Sequence, residues 1–158
     1  MIGTLLMVVL SANAGGSADA LVKHQVKALS LKVPAAWEKT VEEGTQKFKA
    51  PSQDAFFLLD VGTVQSAGMQ PQVCLQKILA SVGGEGWQKL SLGANPGAKR
   101  VFTDTTEDGK DTVETHLYVG CNGKTTWSMT FSMNQTKKER FEPLALKIAQ
   151  SVSYSKGK

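Results

Sequence analysis

Asp111-Thr-Val-Glu-Thr-His-Leu-Tyr-Val-Gly-Cys-Asn-Gly-Lys-Thr-Thr-Trp-Ser-Met-Thr-Phe-Ser-Met133 reads as two alternating runs around a short turn. Val113, Thr115, Leu117, Val119 and Cys121 share one phase before the turn, and Trp127, Met129, Phe131 and Met133 share one phase after it. Strand side chains point alternately to opposite faces, so each run has the period of a half-buried strand. Asn122-Gly123 suits the positive φ values of a type I′ turn, which makes the stretch a β-hairpin. On this reading the two apolar sets face a core together. Thr112, Glu114, His116, Tyr118, Thr126, Ser128, Thr130 and Ser132 then face water. A two-stranded ribbon is marginal alone, so the flanking segments must widen the sheet and cover its apolar face.

Immediately upstream, Trp87–Leu92 and Ala98–Thr105 add two strands around a Gly93-Ala-Asn-Pro-Gly97 loop, and Asp108-Gly109 turns into the hairpin. Downstream, Thr136-Lys-Lys-Glu139 has the spacing of a capping box, and Phe141, Leu144, Ala145, Ile148 and Val152 repeat as an amphipathic helix. Pro71 fits the first turn of another helix, whose stripe is Leu75, Ile78, Leu79 and Val82. Gly83-Gly-Glu-Gly86 ends that helix instead of opening one, so it is a flexible stop and not a phosphate loop.

Three strands precede that helix. Leu29–Val33 is stopped by Pro34, Thr45–Ala50 is centred on Phe48, and Ala55–Val61 carries the continuous Phe56-Phe-Leu-Leu59 of a strand covered on both faces. Pro34-Ala-Ala-Trp37 turns an indole toward the core. The order is β-β-β-α-β-β-β-β-α, an α+β fold on a central antiparallel sheet, in one domain spanning residues 21–158.

Composition is that of an ordinary globular protein, with 41% hydrophobic and 20% charged residues. Eighteen basic residues against 14 acidic give a formal charge of +4, but the two signs are interleaved. Even Lys137-Lys-Glu-Arg140 is broken by an acid, which fits a solvated helix face and points away from nucleic acid. Residues 1–20 read as a secretory signal peptide: Ile2–Leu10 is apolar and Ser11-Ala-Asn-Ala14 offers a cleavage pattern. The run is too short for a transmembrane anchor, so a periplasmic or secreted protein is expected. Cys74 on the first helix and Cys121 on the hairpin either form a bridge that ties helix to sheet or remain two buried thiols. Their spacing matches neither a redox nor a zinc motif.

Motifs for chemistry are sparse. Gly123-Lys-Thr125 leaves a hairpin turn, whereas a phosphate-binding loop joins strand to helix. Asn134-Gln-Thr136 matches a glycosylation acceptor, but Thr136 is already used by the helix cap. Glu114, His116 and Tyr118 would form a small surface polar site on one strand face. Nothing else in the sequence supports a catalytic or metal centre, and no cofactor is implied. Trp37, Trp87 and Trp127 could line an apolar pocket, or could simply be core.

The sequence resembles the PsbP-like family over roughly Lys27–Tyr154. The resemblance rests on Leu31-Lys-Val-Pro-Ala-Ala-Trp37, on Phe48-Lys-Ala-Pro51 before an apolar strand, and on Phe141-Glu-Pro143 with Ile148-Ala-Gln-Ser-Val152. It implies a central antiparallel sheet with helices packed on it and no enzymatic activity. Members serve as complex subunits, partner-binding domains, chaperones or immunity proteins. Many bacterial members are lipoproteins, and no lipid-attachment cysteine stands near the cleavage pattern here. The expected function is therefore an exported, non-catalytic module that binds another protein. The alternatives are a carrier of a small apolar or lipid ligand, and a hydrolase using Glu114 and His116.

Overall fold

The computed structural model describes residues 19–64 and 68–156, so most of the expected signal peptide lies outside the described residues. Strands β1 (Leu21–Val26), β2 (Leu29–Pro34), β3 (Glu38–Glu42), β4 (Thr45–Lys49) and β5 (Ala55–Thr63) precede helix α1 (Pro71–Val82). Strands β6 (Gln88–Leu92), β7 (Asn95–Thr105), β8 (Thr112–Cys121) and β9 (Thr125–Asn134) follow, then a 3-10 turn (Gln135–Lys137), helix α2 (Lys138–Gln150) and β10 (Ser153–Tyr154). The mixed α+β architecture is as expected. Three strands, β1, β3 and β10, are additions to the expected order.

Seven strands form one antiparallel sheet in the order β3-β4-β5-β9-β8-β7-β6, and β1-β2-β10 form a second. The additional strands lie at edges, where burial writes little into the sequence. All five residues of β3 are exposed, and its hairpin to β4 is set by Glu43-Gly44, both with positive φ as a type I′ turn requires. Likewise β1 buries only Val26 fully and turns into β2 through Lys27 at φ 52°. Between β6 and β7 the expected five-residue loop is a two-residue turn, Gly93-Ala94, because Leu92 already pairs with Asn95.

The β8–β9 hairpin forms, with two corrections. Asn122 pairs with Thr125 and accepts the Lys124 and Thr125 amides on its side-chain oxygen, so Gly123-Lys124 are the central turn residues. Only Gly123 takes positive φ, the type II′ pattern. Across any two-residue turn odd positions pair with even ones, and directly opposed residues share a face. Tyr118 therefore sits opposite Met129, His116 opposite Phe131 and Glu114 opposite Met133. The set expected to face water shares the core face with Trp127, Met129, Phe131 and Met133. Val113, Thr115, Leu117, Val119 and Cys121 occupy the other face.

Both faces have cover. The small sheet and α2 close the first over Leu29, Leu31, Val33, Phe48, Phe57, Phe131, Phe141 and Ile148, all 0–1% exposed. An aromatic row crosses the strands there, with Phe48 stacked on Phe57 at 4.7 Å, Phe57 on Phe131 at 5.9 Å, and Trp37 against both. On the other face α1 sets Leu75, Ile78 and Leu79 against Trp87, Ala98, Leu117 and Val119. Val82, expected in that stripe, is 53% exposed. Helix α2 is entered through the 3-10 turn instead of a capping box: Asn134 Oδ1 accepts from the Thr136 amide and hydroxyl.

Candidate functional site

Two features stand out above this scaffold, a half-buried charged cluster beneath α2 and an open stretch of sheet. The cluster begins with the i, i+2 spacing of Glu114 and His116 on β8, which points both at α2. They are 2% and 0% exposed, and Tyr118, next on the same face, is 0% exposed. The expected surface polar site is therefore a buried one. His116 Nε2 donates to Glu114 Oε1 at 2.6 Å, and Lys138 Nζ reaches the same oxygen at 3.1 Å from the first turn of α2. Glu142, one turn further along, lies 3.9 Å from Lys138 Nζ and 4.0 Å from Lys99 Nζ on β7. Lys99 in turn lies over the Tyr118 ring.

The charges are paired within the cluster, whereas His116 Nδ1 and the Tyr118 hydroxyl are buried with no hydrogen-bond partner among the described residues. Burial pushes the His116 pKa below its ordinary value, and the Lys99 charge adds to that, against the opposing pull of Glu114. Burial would raise the Glu114 carboxyl, but hydrogen bonds from His116 and Lys138 outweigh it and hold the group below its usual range. The pair is thus neutral imidazole and ionised carboxylate. The Lys138 ammonium is stabilised by Glu114, and the Tyr118 hydroxyl is held protonated by burial and by the charge of Glu142. Two carboxylates face two lysines.

Glu114, His116 and Glu142 each offer a ligand atom within 4.8 Å of the others, the reach of one cation. Lys138 already supplies the positive charge at that point, so a metal ion would have to displace it. The imidazole lies under α2 with its Nε2 committed to Glu114, and its Nδ1 is buried with no hydrogen-bond partner among the described residues. Sequence reasoning missed Lys99, Lys138 and Glu142. The Lys138/Glu142 i, i+4 spacing is visible, but it reads equally as an exposed helix pair.

The three tryptophans do not share a pocket. Trp37 and Trp127 belong to the core under α2, and the Trp127 indole donates to the Tyr154 hydroxyl at 2.8 Å. Trp87 packs on the α1 side. Between sheet and helix, where a ligand would sit, Trp37 lies 5.9, 5.8 and 6.2 Å from the Phe57, Phe131 and Phe141 rings. Cys74 and Cys121 form a disulfide with Cα atoms 6.1 Å apart, so α1 is covalently tied to the end of β8.

The open feature lies on the α1 face. That helix packs on β7 and β8. Further across, Phe56 and Leu58 on β5 point to the same side yet belong to neither core, and both are half-buried. Lys49 pairs across from Phe56 and Lys47 from Leu58, with the Lys47 ammonium 5.3 Å from the Phe56 ring centre. A hollow of about 290 Å³ beside Phe56 is lined also by Val113 and Ser132, and another of about 720 Å³ beside Leu58 by Glu42, Glu43 and Thr45.

No family model matches the chain, and no curated protein does. Among solved structures, one from Bacteroides thetaiotaomicron aligns at a TM-score of 0.68 and 14% identity over 89% of this chain, which spans 50% of that protein's length. The Saccharomyces cerevisiae Ran-binding protein Mog1p aligns at 0.49 and 11% identity, over 85% of this chain and 95% of its own. Cyanobacterial PsbP from Synechocystis aligns at 0.48 and 14% identity, over 92% and 98%. The first of these likenesses shows a shared α+β fold.

Proposed function

We propose that this protein is a non-catalytic module that binds another protein on the open face of its seven-stranded sheet. The observation that carries the reading is the placement of Phe56 and Leu58: two large apolar side chains on a sheet face that α1 leaves uncovered, outside both cores. Half-buried apolar side chains left outside a core and rimmed by polar ones offer a partner apolar surface to cover. The partner would lay apolar side chains on Phe56 and Leu58 and carboxylates against Lys47 and Lys49. The enclosure of His116 and Glu114 beneath α2 supports the non-catalytic half of the reading. The resemblance of the sequence to PsbP-like proteins points the same way.

The working domain is residues 21–158, released from a secretory leader at residues 1–20. Support for an oxidising compartment comes from the Cys74–Cys121 bridge. Among the described residues no helix is long and apolar enough to cross a membrane. Native mass spectrometry on protein gently purified from its host compartment tests the proposal. A stoichiometric protein companion that is lost with Phe56→Asp and with Lys47→Glu, but kept with Lys77→Glu on α1, supports it. No companion, or one indifferent to Phe56, refutes it.

A further inference from the structure

We propose that the outer edge of β6, with the hollow beside it, takes an extended segment of another protein, paired antiparallel to β6 and carrying a carboxylate against Lys89. Strand β6 ends the seven-stranded sheet, with β7 on its inner side. Leu92 and Asn95 close a two-residue turn and are a hydrogen-bonded pair, so Leu90 with Gly97 and Gln88 with Lys99 are the next two such pairs. The alternation of an antiparallel ladder then turns the backbone groups of Lys89 and Ser91 outward. Pro96, which has no amide to give, stands opposite Ser91 in a pair that exchanges no hydrogen bond, as this alternation requires. Among the described residues no strand and no backbone hydrogen bond meets the outward groups.

The edge opens onto a hollow of about 500 Å³ between α1 and the sheet. Leu75 and Pro96 are its apolar lining. Around them stand Gln72 and Gln76 from one face of α1, and Ser91 and Asn95 from the β6–β7 hairpin. None of these four side chains makes a hydrogen bond among the described residues. A free strand edge beside a hollow of this kind is the arrangement that takes an added strand: the main chain supplies affinity, and the pocket reads alternate side chains.

Charge selects the occupant. Among the described residues that line the hollow, Lys89 alone is charged, and it has no ion pair. A lysine is an ordinary guard on an exposed edge, because an incoming strand must bring its own side chain up against the ammonium. That guard admits a strand with a carboxylate at the opposed position. Directly opposed residues share a face, so the carboxylate lies on the α1 side with Lys89, and the next residue but one meets Ser91 and the amides of the hollow. Strands β9, β8 and β7 separate this edge from β5 with its Phe56 and Leu58, so either proposal can fail without the other.

Titration of the full chain with the acetylated and amidated peptide Thr-Thr-Val-Glu-Val-Thr-Thr, followed by amide-resolved NMR, tests the pairing. Its glutamate meets Lys89 when a threonine meets Ser91. The expected result is a set of saturable shifts confined to β6 and the lining of the hollow, with hydrogen exchange slowed at the Lys89 and Ser91 amides. Methylating the backbone nitrogen of the peptide's glutamate, which points at β6, should abolish binding, whereas methylating that of a valine, which points away, should leave it. Lys89→Glu should weaken binding about fivefold or more, because like charges then oppose each other. The same variant should prefer the peptide with lysine in place of glutamate, a reversal that a folding defect would not produce. No shifts at millimolar peptide, binding indifferent to methylation at glutamate, or an unchanged charge preference in folded Lys89→Glu protein overturns the proposal.

Discussion

Replacing Cys74 and Cys121 by alanine together should lower the melting temperature by about 12–15 °C. The bridge closes a loop with a sequence separation of 47. On chain-entropy grounds, a loop of that size restricts the unfolded chain by about 4 kcal/mol at 25 °C. Unfolding entropy near 2.1 cal/mol/K per residue over the 135 described residues then converts that free energy into the stated shift. Circular dichroism melts of the oxidised protein, the reduced protein and the double variant provide the comparison, and the last two should nearly coincide. The loss should also be local. The Gly123 amide donates to Cys121 Sγ, and α1 meets the sheet through a small cluster around Leu75, so hydrogen exchange should quicken first in α1. A drop below about 3 °C would refute the reasoning, because the bridge would then add little to what packing already does.

Phe131→Ala should cost about 3–5 kcal/mol in a urea titration, since it opens a hole in the aromatic row, whereas Phe56→Ala should cost under about 1.5 kcal/mol. Equal losses would contradict the assignment of the two faces. Tyr154→Phe leaves the buried Trp127 N–H without its acceptor and should cost about 1–3 kcal/mol; a neutral result would mean that water replaces the hydroxyl. Because His116 holds its pKa below the ordinary 6.5, the unfolded chain takes up the proton more readily. Its contribution to stability is therefore full above that pH and is lost as pH falls beneath it. Glu114, also depressed, adds a loss at lower pH as it protonates. Melts should fall between pH 7.5 and 5.5, and less steeply in His116→Gln, which keeps a donor for Glu114 while the similarly shifted His24 remains; parallel slopes would count against the buried imidazole.

Much of the fold is legible in the residues, because local signals agree with it. The alternation flanking Asn122-Gly123 marks the hairpin, Pro71 opens α1, and Phe141, Ala145 and Ile148 mark the buried stripe of α2. The faces are harder. A strand covered on both sides has two apolar phases, and in β8 the phase of Val119 serves α1 while that of Tyr118 serves α2. Odd-to-even pairing across the turn was the available signal, and it outranks the wish to put every apolar residue on one side. His116 and Glu114 look like surface residues because the cation that compensates the buried carboxylate comes from Lys138 on α2, an element that only the folded chain brings beside β8. Edge strands β1 and β3 bury too little to leave a pattern. The open face at Phe56 is written as a continuous apolar run, which reads as double cover unless one knows where α1 stops.

Site-specific photo-crosslinking in the native compartment tests the central claim most directly, with the reactive group placed at Phe56 in one version and at Val73 on the exposed side of α1 in another. The proposal predicts one adduct of defined mass from position 56, suppressed by Lys47→Glu, and none from position 73. Crosslinking at position 73 alone, or no adduct at position 56 in folded protein, would contradict it.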